Sequence, residues 1–289
     1  MDSPPPELVD TAEGPIEVGR RGSGPPVLLV HGTPGGSDSS LAMGRFLVDA
    51  GFELIAPSRP GYLTTPLDGR ESIDAQADLL AALLDALGHD RAGIVTWSGG
   101  GPSGYRLAVR HPERVSALVP FAAVSHDYHV ADEDLESELL RTRPGTWALR
   151  FLADHAPKSA IAQTLKAEGD LTRQELKALV EEVVDDEAQR DVVLTMVHVV
   201  GDYEHRRAGM DNDFARFAEI ETLELERISA PTLVVNGDAD TDVVPEYSDH
   251  AAATIPGAQR LIMARGTHLC LFAHPEAARA QARVVAHLR

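Results

Sequence analysis

The sequence predicts an α/β protein: a doubly wound, mostly parallel sheet interrupted by one helical insertion. Three observations carry this. Short, continuous apolar runs recur along the chain, as expected of strands buried on both faces. Amphipathic helical stretches separate them in a βαβαβαβ rhythm, which right-handed crossovers turn into a parallel sheet. Over residues 122–231 that rhythm stops and only helical patterns remain.

The elements follow in order. The proline-rich residues 1–6 read as a loose end. Residues 7–20 suit an opening hairpin that turns at Glu13-Gly14-Pro15. Residues 26–30 (PVLLV) form the first buried strand, and residues 38–50 a helix that stops at Gly51. Residues 52–56 are the second buried strand. A helix over 71–87 places Ile73, Ala77, Leu80, Leu84 and Leu87 on one face, with Gly88 as its stop. Strands at 93–97 and 117–121 flank a helix that ends near Arg110. In the insertion, Thr172 and Glu175 have capping-box spacing, and Leu176, Leu179, Val180 and Val183 follow at helical intervals. The alternation resumes with strands at 232–236 and 260–264 and helices at 246–254 and 275–288. The chain thus divides into a core of residues 1–121 and 232–289 and a helical cap of residues 122–231. A cap inserted there could cover the sheet edge where ligands bind.

Composition narrows the function. The chain has 289 residues, 43% of them apolar and 5% aromatic, enough for a large aliphatic core. Its net charge of −19 disfavours nucleic acid and anionic membranes as partners. With the single cysteine Cys270, no intrachain disulfide can form, and a Cys-rich metal site is excluded. No stretch reads as a signal peptide or spans a membrane, so a cytoplasmic protein acting on a small molecule is expected. Its oligomeric state is not legible.

Ser98 is the first chemical candidate. A buried strand runs through Val95-Thr96-Trp97 into Ser98, then Gly99-Gly100-Gly101 and a helix. A serine at so sharp a turn projects its hydroxyl from the strand's carboxyl end, and small neighbours let the helix pass. Gly100 meets that need; Thr96, two residues before the serine, does not. The plainer alternative is a serine capping the next helix. Gly99, Gly101 and Gly104 also fit a dinucleotide-binding fingerprint, but that pattern belongs after the first strand of its unit.

A second loop, His31-Gly32-Thr33-Pro34-Gly35-Gly36, follows the first buried strand. Such a glycine-rich loop can present backbone N–H groups to an oxyanion; Thr33 and Gly99 are the expected donors. Gly32 and Trp97 are candidates for substrate contact. A serine nucleophile needs a base held by a carboxylate. Among twelve histidines, His268 stands out in the loop after the last strand. Asp238, Asp240 and Asp242 all follow the strand at 232–236, and spacing alone does not choose among them. His126, Asp127 and His129 offer too few ligands for a metal centre; no metal and no cofactor are expected.

Together these residues resemble the α/β-hydrolase superfamily over essentially the whole chain. The order Ser98, Asp240, His268 is similar to the family's nucleophile–acid–base order. The loop His31 to Gly35 resembles its HG-x-PG oxyanion loop. Ser58-Arg59-Pro60-Gly61-Tyr62 and His111-Pro112-Glu113-Arg114-Val115 also match family motifs. The resemblance selects Asp240, three residues past Gly237, and implies that the insertion is a cap domain. A serine at the elbow disfavours the epoxide hydrolases and haloalkane dehalogenases, which carry aspartate there. The resemblance implies a serine hydrolase of small carboxylic esters or lactones. The alternatives are C–C bond cleavage, cyclisation or rearrangement on the same fold, and a non-catalytic ligand-binding member.

Overall fold

The computed structural model describes residues 5–129 and 143–289. Eight strands form one sheet: β1 (Glu7–Thr11), β2 (Gly14–Gly22), β3 (Pro26–Val30), β4 (Glu53–Pro57), β5 (Ala92–Trp97), β6 (Val115–Phe121), β7 (Leu233–Gly237) and β8 (Gln259–Met263). Their order is β1-β2-β4-β3-β5-β6-β7-β8. The β1–β2 and β2–β4 pairs are antiparallel, and β4 through β8 pair in parallel. The chain steps from β3 outward to β4, then returns to place β5 on the other side of β3. That reversal opens a crevice at the carboxyl ends of β3 and β5, where ligands bind in open α/β sheets.

The parallel strands β3 to β7 are buried on both faces because helices cover both, while β8 at the edge is largely exposed. On one face lie α1 (Ser37–Met43), α2 (Arg45–Asp49) and the closing α11 (Ala277–Leu288). On the other lie α3 (Ile73–Ala86), α4 (Gly101–Arg110) and α10 (Pro245–Thr254). Helix α3 begins where the Ser72 side chain accepts the Ala75 N–H, and it buries Ala77, Leu80 and Leu84 as its period predicts.

Between β6 and β7 stand α5 (Arg143–His155), α6 (Pro157–Ala167), α7 (Arg173–Asp185), α8 (Glu187–Gly201) and α9 (Arg207–Phe217). The Thr172–Glu175 capping box opens α7 as its spacing predicts. Leu165, Val180 and Met196 of these helices share one apolar cluster with Trp97 and Phe121 of the sheet. The insertion therefore packs on the core, not apart from it. No helix of the described residues is long and apolar enough to cross a membrane.

Two expectations need correction. The helix over 38–50 is two helices broken at Gly44, where a Cβ would stand 2.4 Å from Leu54 Cδ2. The hairpin turn falls at Ala12-Glu13, one residue early, and Gly14 already starts β2. Residues 1–4 of the expected loose end, and residues 130–142 of the expected insertion, lie outside the described residues.

Candidate active site

Ser98 sits at the end of β5, beside the crevice. Its φ of 52° lies in the left-handed region, costly for a side chain with a Cβ. Glycines make the turn feasible. A Cβ on Gly100 would stand 2.5 Å from the Val30 carbonyl oxygen, and one on Gly101 would stand 2.6 Å from that of Val124. Backbone atoms cannot yield, so only glycine fits. Thr96 is accommodated from the other side: a Cβ on Gly104 of α4 would lie 2.0 Å from Thr96 Cγ2. The three glycines of the dinucleotide pattern thus serve close packing, Gly101 against backbone and Gly99 and Gly104 against the side chains of Thr33 and Thr96.

The loop after β3 is pinned from beneath. His31 is fully buried. Its Nε2 accepts the Arg59 N–H at 2.8 Å, which leaves Nδ1 to donate to the Gly32 carbonyl at 2.8 Å. Burial, and then the Arg59 charge, hold this imidazole well below the usual histidine pKa, so it stays neutral. Gly32 lies against the turn, since a Cβ there would stand 2.8 Å from Ser98 Cβ and 2.9 Å from Trp97 Cε3. Thr33 and Gly99 are neighbours in space: a Cβ on Gly99 would stand 2.2 Å from Thr33 Oγ1.

The remaining partners come from the loops after β7 and β8. His268 Nδ1 bonds Asp240 Oδ2 at 2.8 Å, and both side chains are buried. The second Asp240 oxygen accepts the N–H groups of Asp242 and Val243. This separates the three aspartates. Asp238 accepts the Arg265 N–H in an exposed turn, and Asp242 reaches only to 3.9 Å from His268 Nε2. Trp97 is 7% exposed; its ring lies 5.2 Å from that of His268, and Nε1 donates to the His268 carbonyl. Ser98 is 8% exposed, and among the described residues its hydroxyl is not hydrogen-bonded to His268. Such bonds are often open in unliganded enzymes. Cys270 is a buried hydrophobe whose thiol burial pushes up.

One acidic group here is absent from the motifs. Glu168, just past α6, accepts the His268 N–H on its backbone oxygen at 2.9 Å. Its side-chain Oε2 is shut off from solvent without a hydrogen-bond partner. Burial, then the Asp242 charge, push its carboxyl up to about 8, against the pull of His268. Burial alone would lower the His268 pKa, but Asp240, Asp242 and Glu168 raise it to about 10. Glu168, Asp242 and His268 offer ligand atoms within 4.8 Å of one another. A cation there would take the Nε2 that a general base needs. His126 Nδ1 and His129 Nε2 both reach Asp127, at 3.2 and 3.5 Å, and the His126 ring also stacks on Tyr247 at 4.1 Å.

A second missed group lies under the loop after β3. Asp213 of α9 forms a buried ion pair with Arg59, each side chain 1% exposed. Asp213 also accepts hydrogen bonds from Tyr62 at 2.6 Å and Thr33 at 2.5 Å. Arg206, just before α9, donates to the Gly35 carbonyl and pairs with Asp38 at 2.7 Å. The available sequence signal is Arg59 itself, an arginine two residues past a buried strand, which needs a buried acid as partner once it is buried.

A family model for the alpha/beta hydrolase fold matches residues 25–275. Among solved structures, an alpha/beta hydrolase fold protein from Nakamurella multipartita is 45% identical, with a TM-score of 0.95, over 98% of this chain and 99% of that one. An uncharacterized hydrolase, YcgS, of Bacillus subtilis is 27% identical over 271 residues, 91% of each chain. A pimeloyl-[acyl-carrier protein] methyl ester esterase of Neisseria meningitidis serogroup B is 27% identical over 218 residues, 75% of this chain and 76% of that one.

Proposed function

As this chain belongs to the alpha/beta hydrolase fold family and is a hydrolase, we propose that it cleaves a small carboxylic ester or lactone through Ser98. The observation that carries the reading is one sheet edge holding Ser98 at φ 52° together with a buried His268–Asp240 pair at 2.8 Å. A base oriented by a carboxylate beside a serine on a strained turn is the equipment of acyl transfer. The similarity to a methyl ester esterase supports the same chemistry.

In this mechanism His268 Nε2 takes the Ser98 proton while Oγ bonds the substrate carbonyl carbon. Asp240 orients the ring and stabilises the imidazolium. The N–H groups of Thr33 and Gly99 hold the oxyanion, each worth roughly 3 kcal/mol. The imidazolium then protonates the leaving alkoxide as the C–O bond breaks. Water, with His268 again as base, releases the acid and restores Ser98. Gly32, which lies against Ser98 Cβ and the Trp97 ring, and Trp97 contact the substrate, and the insertion serves as the cap. A cytoplasmic location and a small-molecule substrate complete the reading.

The test is turnover of p-nitrophenyl acetate. Ser98→Ala should lower kcat by several orders of magnitude; unchanged turnover would refute the nucleophile.

A further inference from the structure

We propose that Asp213, acting through Arg59, is a positioning residue for the oxyanion hole, so that the hole is assembled only when the cap is seated. The inference rests on the serine-hydrolase reading above and adds a cap-borne member to its machinery.

The argument begins with one peptide plane. The Gly32 carbonyl and the Thr33 N–H belong to the same rigid group and point in opposite directions. Whatever holds the carbonyl therefore aims the N–H. Two donors hold it: His31 Nδ1 at 2.8 Å and Arg59 Nη2 at 3.1 Å. Arg59 is thus one of the two groups that aim the Thr33 N–H. The same Nη2 also donates to Thr33 Oγ1 at 3.1 Å. The guanidinium is fixed in turn from below, where Nη1 and Nη2 bond Asp213 Oδ1 and Oδ2 at 2.7 and 2.6 Å. This two-pronged pairing sets the plane of the guanidinium as well as its place.

Asp213 does more than neutralise Arg59. Its Oδ2 also receives the hydroxyls of Thr33 and Tyr62. One carboxylate therefore grips the oxyanion loop directly, at the Thr33 side chain, and indirectly, at the Gly32 carbonyl. It rides on α9, which belongs to the insertion and not to the core. Docking of α9 is built in around it. Gly209 donates its N–H to the Gly61 carbonyl at 3.0 Å, and a Cβ on Gly209 would stand 2.3 Å from the Tyr62 ring. If α9 moved away, Arg59 would lose its counter-charge and Thr33 its acceptor together.

The test is labelling of the full-length chain by a fluorophosphonate, read at Ser98 as kinact and KI, with the thermal unfolding midpoint measured alongside. The phosphoryl oxygen of this probe develops charge in the same hole. Asp213→Asn should lower kinact at least about 30-fold with KI within about threefold, a part of the roughly hundredfold or greater loss that follows removal of one oxyanion donor. Thr33→Val, which keeps the backbone N–H but not the hydroxyl, should lower kinact by at least about fivefold. The double variant should fall no further than Asp213→Asn alone, since both act through one carboxylate. Asp213→Glu should recover part of the loss. A folded Asp213→Asn chain with kinact within threefold of the parent overturns the proposal, as do losses that multiply in the double variant. Should Asp213→Asn fail to fold, unchanged kinact in Thr33→Val overturns it by itself. A parent chain that is not labelled at Ser98 refutes the nucleophile, and the proposal falls with it.

Discussion

The helical insertion grips the strand-end loops in two places, and the two contacts are built from different interactions. Beneath the loop after β3 the contact is ionic: Asp213 and Arg206 of the insertion meet Arg59, Thr33, Gly35 and Asp38. Beside His268 it is mostly backbone. Asp170 donates its N–H to the Ala239 carbonyl, His268 donates to the Glu168 carbonyl, and Gly169 bridges Asp240. The first contact depends on which side chains are present and on their charges. The second depends on a path of the main chain that one glycine permits. The pairing teaches that an insertion can be keyed to strand-end loops on one side and laced to them on the other.

The ionic side should break hardest. Asp213→Ala leaves Arg59 buried without a counter-charge, and chemical denaturation should show a loss of about 3–5 kcal/mol. Replacing both partners by apolar residues, as in Arg59→Met with Asp213→Leu, should restore much of that stability while leaving esterase turnover low. Equal stability of the single and double variants would contradict the distinction. The laced side should yield less. Gly169→Ala places a Cβ 2.5 Å from Thr267 Cγ2 and 2.9 Å from the Ala239 oxygen. Overpacking of that kind costs about 1–3 kcal/mol, and thermal unfolding should show a correspondingly smaller drop.

Titration sharpens the comparison further, because the His268 side carries a histidine and a carboxyl that are both pushed up, whereas burial holds the His31 imidazole neutral on the ionic side. The proposed base, His268, must be unprotonated to act, and three carboxylates raise its pKa, so kcat/KM should climb with pH on its acid limb. Glu168→Gln removes one of those charges and should move that limb to lower pH. No movement, or movement upward, would show that Glu168 does not act on His268. The sign for stability is the opposite. His268 is raised to about 10 in the fold, so the stability it lends is complete below its unfolded value and is lost as pH rises through about 10. The smallest effect belongs to Arg265, whose exposed pair with Glu175 borders the laced side. Arg265→Ala should leave the unfolding midpoint unchanged within error.

These contrasts also mark what the sequence could reveal. Strands buried on both faces announce themselves, and β3 falls on the predicted residues 26–30. Ser98 and Asp240 stand out as candidates because each follows such a strand, and His268 because it follows the last strand at the same edge. Gly44 is a harder case: the close approach of Leu54, distant in sequence, at the helix break leaves no local trace. Asp213, Arg206 and Glu168 are harder still. They lie in amphipathic helices and their ends, where an acid or arginine reads as a solvated face. What buries them is the docking of the insertion, and no periodicity specifies a docking partner. Arg59 stands within a recognised motif, yet its need for a buried acid does not say which acid.

Thr96 and Gly104 carry a lesson about how such turns are described. A small residue two places before the nucleophile is usually written as a rule about that position. Here the strand keeps a γ-methyl and the helix gives up a β-carbon, so the space between them is conserved while the letters are exchanged. The constraint is a volume shared by two positions eight residues apart, and either can supply the vacancy. Patterns written as pairs of complementary sizes would recognise chains that a string of single letters passes over.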